Sequence, residues 1–454
     1  MASGRRSALA IAAIAGLGVL LAPVAFGAAA GSFAPTGLMG TPRESPAVAP
    51  LADGRVLVAG GFDGSNYSDT AEIFNPATNT FSPVSSLLGI GREGGAAVLL
   101  GNGHVLIAGG FNPGISTLWL QSSEIYNPTN NSFTPVSDMS VIRSAPAGAP
   151  IPGGKALIAG GFDASGGTSV YRSSAEIFTP GSNSYSSAVG SMATGRVLAS
   201  GASLPDGRVL VAGGENASSV LRSAEIFDPG ANSFGPAGGQ LTVGRAGAGA
   251  SPLPDGRVLI AGGATNSGAN LSSAEAFDPA TSSFSSTGIG ALGTPRFQTA
   301  AAPLPDGRVL VVGGDDTESH PLRTAEVFTL ASASKVLAYR VKGKVLSVDV
   351  QVPGTVSVAA AGGKKASAAK KRKRKAPLRS TRASGGPGTI TLPLRPAGAA
   401  KQKLRRKGKV KILATISFAP QAGACAATFK SCYSSQFASS QTAKLKIKLK
   451  KKKK

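Results

Sequence analysis

The chain has 454 residues and a formal net charge of +24, but that charge is unevenly placed. Residues 31–334 sum to −8 and residues 335–454 to +30, with Asp349 the one acid of the second part, so a mildly acidic body carries a basic C-terminal region. The 61 glycines and few aromatics suit short strands and tight turns rather than a helical bundle, and the two cysteines, Cys425 and Cys432, fall short of a four-ligand zinc site.

The first elements in chain order form a leader. Arg5 and Arg6 precede an apolar run from Ala8 to Phe26 that ends in Gly27-Ala28-Ala29-Ala30. This pattern reads as a secretory signal, residues 1–30, cleaved after Ala30. The same uncharged stretch is long enough to be an uncleaved membrane anchor. Either way the folded part is expected outside the cytoplasm, secreted or held at the cell envelope.

From residue 31 a unit of about fifty residues recurs six times. Its clearest copies are Leu204–Phe234 and Leu253–Phe284. Gly-Gly pairs begin at Gly60, Gly109, Gly160, Gly213, Gly262 and Gly313, and an arginine stands seventeen residues before each: Arg43, Arg92, Arg143, Arg196, Arg245 and Arg296. Glu-x-aromatic follows at Glu72, Glu124, Glu176, Glu225, Glu275 and Glu326, and nine residues after the first five of these comes Phe81, Phe133, Tyr185, Phe234 or Phe284. Asp-Gly turns such as Asp206-Gly207 mark a hairpin, and Asp228-Pro229 marks a further turn, so each unit reads as four short antiparallel strands. Units of this length and content stack as propeller blades.

The motif Gly-Gly, Glu-x-aromatic-Asp-Pro, aromatic resembles the kelch repeat, over roughly residues 31–330. The expected fold is therefore all-β: a six-bladed kelch-type propeller over 31–334, then a small β-sandwich over 335–454. The sixth unit lacks its late aromatic, because Lys335 stands there, whereas Ser32-Phe33-Ala34-Pro35 is a spare copy of Ser132-Phe133-Thr134-Pro135. The N-terminal strand is expected to complete the last blade, which removes open sheet edges.

Length variation among the units is confined to one face. The interval from Gly-Gly to Glu runs from 12 to 16 residues, whereas Glu to late aromatic is fixed. Variable loops are where scaffolds carry function. On that face stand Phe62, Tyr67, Phe111, Trp119, Phe162 and Tyr171 in the first three units, and Glu215, Asp315, Asp316 and Glu318 in the later ones. Such a surface suits a carbohydrate, by ring stacking and hydroxyl recognition, or a protein ligand. The alternative is that the phenylalanines wedge blades and the acids are solvated. The six arginines and six glutamates are expected to pair within each blade as scaffold.

Resemblance to kelch propellers also raises galactose oxidase, whose copper site uses tyrosines, histidines and a cysteine–tyrosine crosslink. Here the two histidines, His104 and His320, fall on opposite faces and the propeller has no cysteine, so copper oxidase chemistry is not expected. No catalytic residue, metal or other cofactor is assigned. A binding or scaffold role is expected ahead of an enzyme, the alternative being a carbohydrate-modifying enzyme of the sialate mutarotase or epimerase kind with acid–base residues on the variable face.

Beyond Lys335, period-two runs at Val345–Val352, Thr355–Ala359, Ile390–Leu394, Val410–Phe418 and Leu445–Leu449 suggest a module resembling the Ig-like sandwiches that end many exported bacterial proteins. Residues 362–387 are too charged to fold alone and read as a disordered polybasic loop. With the Lys450–Lys454 tail they suit anionic envelope polymers or lipid head groups, each basic residue contributing about 1 kcal/mol near an acidic membrane. Nucleic acid is not expected as a partner, because export separates the two. Cys425 and Cys432 are expected to form a disulfide, and the chain to be a monomer.

Overall fold

The structure is a computed structural model. It describes residues 31–330, except 117 and 189, and the backbone of strands between 338 and 448. The leader, Cys425, Cys432, the densest basic run and the lysine tail lie outside the described residues.

Residues 31–330 form a six-bladed β-propeller, and no helix occurs among the described residues. Blade 4 is typical. Its strands Ser200–Ser203, Val209–Ala212, Ala224–Asp228 and Ser233–Pro236 pair antiparallel in sequence order, from the central axis outwards. The second strand is buried at every residue, because both of its faces are covered by neighbouring blades. The core is therefore divided: each apolar cluster is built from the facing sides of two adjacent blades. One joins Leu57, Ala59 and Ile73 to Val105, Ile107 and Tyr126, and another joins Leu310, Val312 and Val327 to Val56, Val58 and Phe74.

The ring closes by strand exchange. Ser32–Pro35 pairs antiparallel with Ala325–Thr329, as the fourth strand of blade 6. Phe33 meets Phe328 at 4.9 Å between ring centroids, the spacing of Phe74–Phe81 in blade 1 and close to the 4.8 Å of Phe277–Phe284 in blade 5. Closure is repeated at the axis. Ser45 N–H donates to Gln298 O, Gly94 to Ser45, Ala145 to Gly94, Leu198 to Ala145, Gly247 to Leu198 and Thr299 to Gly247, at 2.8–3.1 Å. This hydrogen-bonded loop runs from blade to blade around one mouth of the central channel. It holds Ser45, Ala145, Leu198 and Gln298 at φ of 46° to 55°, left-handed values that are unusual for residues with a Cβ.

In the C-terminal region the backbone forms a three-stranded and a four-stranded antiparallel sheet, the latter containing Gly354–Ala360, Thr381–Gly385, Lys409–Pro420 and Ser439–Lys448. Thr381–Gly385 lies inside the span 362–387 expected to be a disordered loop. Its backbone pairs with Gly354–Ala360, so a sheet partner supplies the hydrogen bonds that the isolated segment lacks.

Two outcomes follow. Phe33→Ala should lower stability by about 3 kcal/mol, the scale of a lost packed phenylalanine, and Phe81→Ala by a similar amount, both read from urea unfolding. A Phe33→Ala protein as stable as wild type would show that the N-terminal strand is dispensable for closure.

Candidate functional site

The repeated polar groups have to be separated from the unrepeated ones first. All six arginines are at most 1 % exposed. Each sends Nη1 to the first Gly-Gly carbonyl of its own blade, at 2.6–3.0 Å. Each guanidinium also lies 2.7–3.3 Å from its blade's glutamate. The glutamate accepts a backbone N–H of the incoming connection as well, for example Gly40 to Glu72 and Ala193 to Glu225, both at 2.7 Å. The arginine's own carbonyl accepts the N–H of the second glycine in the preceding blade: Gly61 to Arg92 at 2.8 Å, and Gly314 to Arg43 at 2.9 Å across the closure. The first glycine sits at φ of 64° to 74° in all six blades, where a Cβ would strike that same arginine carbonyl.

A further member of this network escaped the sequence analysis. A Ser or Thr two residues before each glutamate (Thr70, Ser122, Ser174, Ser223, Ser273 and Thr324) takes hydrogen bonds from the guanidinium through its carbonyl and its hydroxyl. Its signal was present in the repeated Ser/Thr-x-Glu. Burial pulls the arginine pKa values down, and Glu72, Glu124 and their counterparts push them back up.

The face that carries the variable loops is different from blade to blade. The residue after each arginine bridges to the residue after each Gly-Gly: Glu44 to Phe62, Glu93 to Phe111, Ser144 to Phe162, Val197 to Glu215, Ala246 to Ala264 and Phe297 to Asp315. These six pairs surround the channel mouth. On blades 1 to 3 the six aromatic candidates form one unbroken arc. Centroid spacings are 5.0 Å for Phe62–Tyr67, 5.6 Å for Tyr67–Phe111, 5.7 Å for Phe111–Trp119, 6.3 Å for Trp119–Phe162 and 5.3 Å for Phe162–Tyr171. Two of these contacts cross between blades, so the rings join blades, yet each ring stays only half-buried.

On blades 4 to 6 the rings give way to a cleft of about 510 Å³ lined by Glu215, Asn216, Asn266, Asn270, Phe297 and Asp315. It exists because blade 5 contributes only Ala246 and Ala264 where other blades place a large or charged side chain. Asp315 is 6 % exposed, and its Oδ1 has no hydrogen-bond partner. Asp316 and Glu318 do not join it. Asp316 accepts N–H groups of Glu318 and His320 within its own turn, and Glu318 is exposed.

Glu44 and Glu93 were not singled out from sequence, since they adjoin the invariant arginines and read as part of the scaffold. Burial, then the charge of Glu44, pushes the Glu93 carboxyl up to about 7. Burial, then Glu44 again, pushes Asp315 up to about 7. Burial also raises Glu44 and Glu215. Glu44 accepts one hydrogen bond from Gln298 Nε2 at 2.6 Å. Among the described residues none of these four carboxyls forms an ion pair, in contrast to the six glutamates of the scaffold.

Two predictions follow. Arg196→Met leaves Glu225 buried without its counter-charge and should cost about 3–5 kcal/mol, measured by urea unfolding, whereas Ser223→Ala should cost about 1 kcal/mol. The second concerns pH. The folded chain keeps protons on Glu93 and Asp315 that the unfolded chain releases near 4.5 and 3.8, so these groups make stability fall as pH rises from about 4 to about 7. Glu93→Gln with Asp315→Asn should flatten that fall and raise the melting temperature at pH 8, as read by calorimetry across pH.

A search among curated proteins finds no match. The Kelch motif family model matches residues 45–88 and 94–140, which are blades 1 and 2 with their flanks. Among solved structures, one described as the structure of YjhT superposes with a TM-score of 0.55 at 14 % sequence identity, covering 65 % of this chain and 97 % of that one. At that identity the likeness is one of fold. The chain is thus a six-bladed β-propeller that carries Kelch motifs.

Proposed function

We propose that the protein is an exported binding module that takes a carbohydrate on the variable-loop mouth of its propeller, and that its basic C-terminal β-sandwich holds it to an anionic cell envelope. The observation that carries the reading is the contrast between two sets of polar and aromatic groups. The arginine–glutamate sets repeat in every blade, as a scaffold must. The aromatic arc and the unpaired carboxyls occupy equivalent positions but do not repeat, as a single asymmetric ligand requires. Half-buried rings in a continuous arc offer flat faces to sugar rings, and the neighbouring Asn and acidic side chains offer hydroxyl partners. The charge of +30 on residues 335–454 favours the envelope attachment.

A second reading, a carbohydrate-modifying enzyme, draws on Glu93 and Asp315, whose carboxyls near 7 suit general acid–base work. Trp119 is a direct probe of ligand at this face. It is the one tryptophan in the chain and stands in the arc, so tryptophan emission reports this face alone. A glycan array followed by emission titration of the hits should give saturable changes that Phe111→Ala weakens about tenfold. NMR of the bound sugar should show no conversion; turnover would move the assignment to the enzyme. Envelope retention should be lost in high salt, and retention unaffected by salt would remove the charge-anchoring part.

A further inference from the structure

The mouth concentrates carboxyl groups that no cation of the described protein balances. Glu44, Glu93 and Asp315 lie near enough for the charge on Glu44 to act on the other two, and Glu215 and Asp315 both line the cleft of blades 4 to 6. Elsewhere in the described propeller, buried carboxylates are neutralised with care: each scaffold glutamate has an arginine and at least one backbone N–H. Asp315 has neither a cation nor any partner for Oδ1, although it is 6 % exposed. A buried polar atom left open in this way costs stability unless something arrives to satisfy it. Beside these carboxyls stand Phe62, Tyr67 and Phe111, whose ring faces attract cations.

Carboxyls with no positive neighbour, next to aromatic faces, are drawn into the ionised form by a ligand that brings its own positive charge. Among the described residues no three His, Cys, Asp or Glu side chains converge on one point, so the carboxyls are spread along the mouth and suit a ligand with several spaced positive charges. We infer that the mouth selects a protonated amino-sugar oligomer, its several ammonium groups meeting the carboxyls of Glu44, Glu93, Asp315 and Glu215 spread around the mouth and its rings lying on the Phe62–Trp119 arc. This rests on the carbohydrate-binding reading above and names the ligand class of the same site. An ammonium donates three hydrogen bonds, and bonds from a cation to carboxylates are roughly twice as strong as neutral ones. N-acetylation of the same sugar removes the charge and leaves the rings, which makes it the natural control.

The test uses the full chain with a glucosamine tetramer, the fully N-acetylated tetramer and spermidine, read by Trp119 emission and calorimetry at pH 7, close to the value to which Glu93 and Asp315 are raised. Residues 31–334 carry a net −8, so spermidine serves as the control for nonspecific attraction of cations. The glucosamine tetramer is expected to bind at least tenfold more tightly than its N-acetylated form and than spermidine, and to weaken with salt. Glu93→Gln with Asp315→Asn should reduce the difference between the two tetramers to less than threefold. That variant is expected to be at least as stable as wild type at pH 8, so a lost preference is not lost folding. Equal affinity for the two tetramers, or an undiminished preference in the variant, overturns the amino-sugar assignment and leaves carbohydrate binding standing. Tighter binding of spermidine than of either tetramer overturns it in favour of a free polyamine. No response to any glycan overturns the binding reading itself.

Discussion

A guanidinium taken out of water is tolerated only if its N–H groups find acceptors and its charge finds a partner. In this propeller that demand is met six times by the same atoms, and meeting it is what fixes one blade to the next. The arginine side chain reaches into its own blade, to a glycine carbonyl, a Ser or Thr, and a glutamate. Its backbone carbonyl reaches into the previous blade, to the second glycine. Its glutamate draws in the chain that arrives from outside. A single residue thus sets strand ends within a blade and spacing between blades. Replacing the pair by apolar side chains would leave backbone donors and acceptors stranded, so this buried ion pair is less dispensable than most.

Since these interactions and the paired aromatics supply the fold, the variable mouth is free to depart from the repeat. Blade 5 reduces its mouth residues to Ala246 and Ala264, and a cleft opens beside them. Blades 1 to 3 place rings there, and blades 1, 2, 4 and 6 place carboxyls. Burial and the charge of Glu44 raise Glu93 and Asp315 to about 7, so the propeller accepts an electrostatic cost at the mouth that it avoids throughout the scaffold. A cost confined to one surface, on a ring otherwise satisfied, is where a ligand would be compensating.

Much of this was legible in residue order because a repeat protein supplies its own comparison. Set one unit against the next, and Arg196 and Glu225 recur in every copy whereas Phe62 and Glu215 do not. The spare Ser32-Phe33-Ala34-Pro35 announced how the ring closes, since only an unpaired fourth strand explains it. Glu44 and Glu93 remained hidden for a physical reason. They differ from the scaffold arginines by one position, and in an irregular stretch one residue decides whether a side chain enters the blade or the channel mouth. The Ser/Thr of the guanidinium network was missed differently, its signal being present but shared with ordinary loop composition.

The sequence by itself determined the number of blades, their strand pairing and the face that varies, because these follow from period, turn chemistry and alternation along the chain. Only the tertiary structure decided that Phe62, Tyr67, Phe111, Trp119, Phe162 and Tyr171 touch in one arc, and that Glu44 acts on both Glu93 and Asp315. Glu44 and Asp315 are more than 270 positions apart in the chain, and closing the ring is what brings them within range of each other's charge.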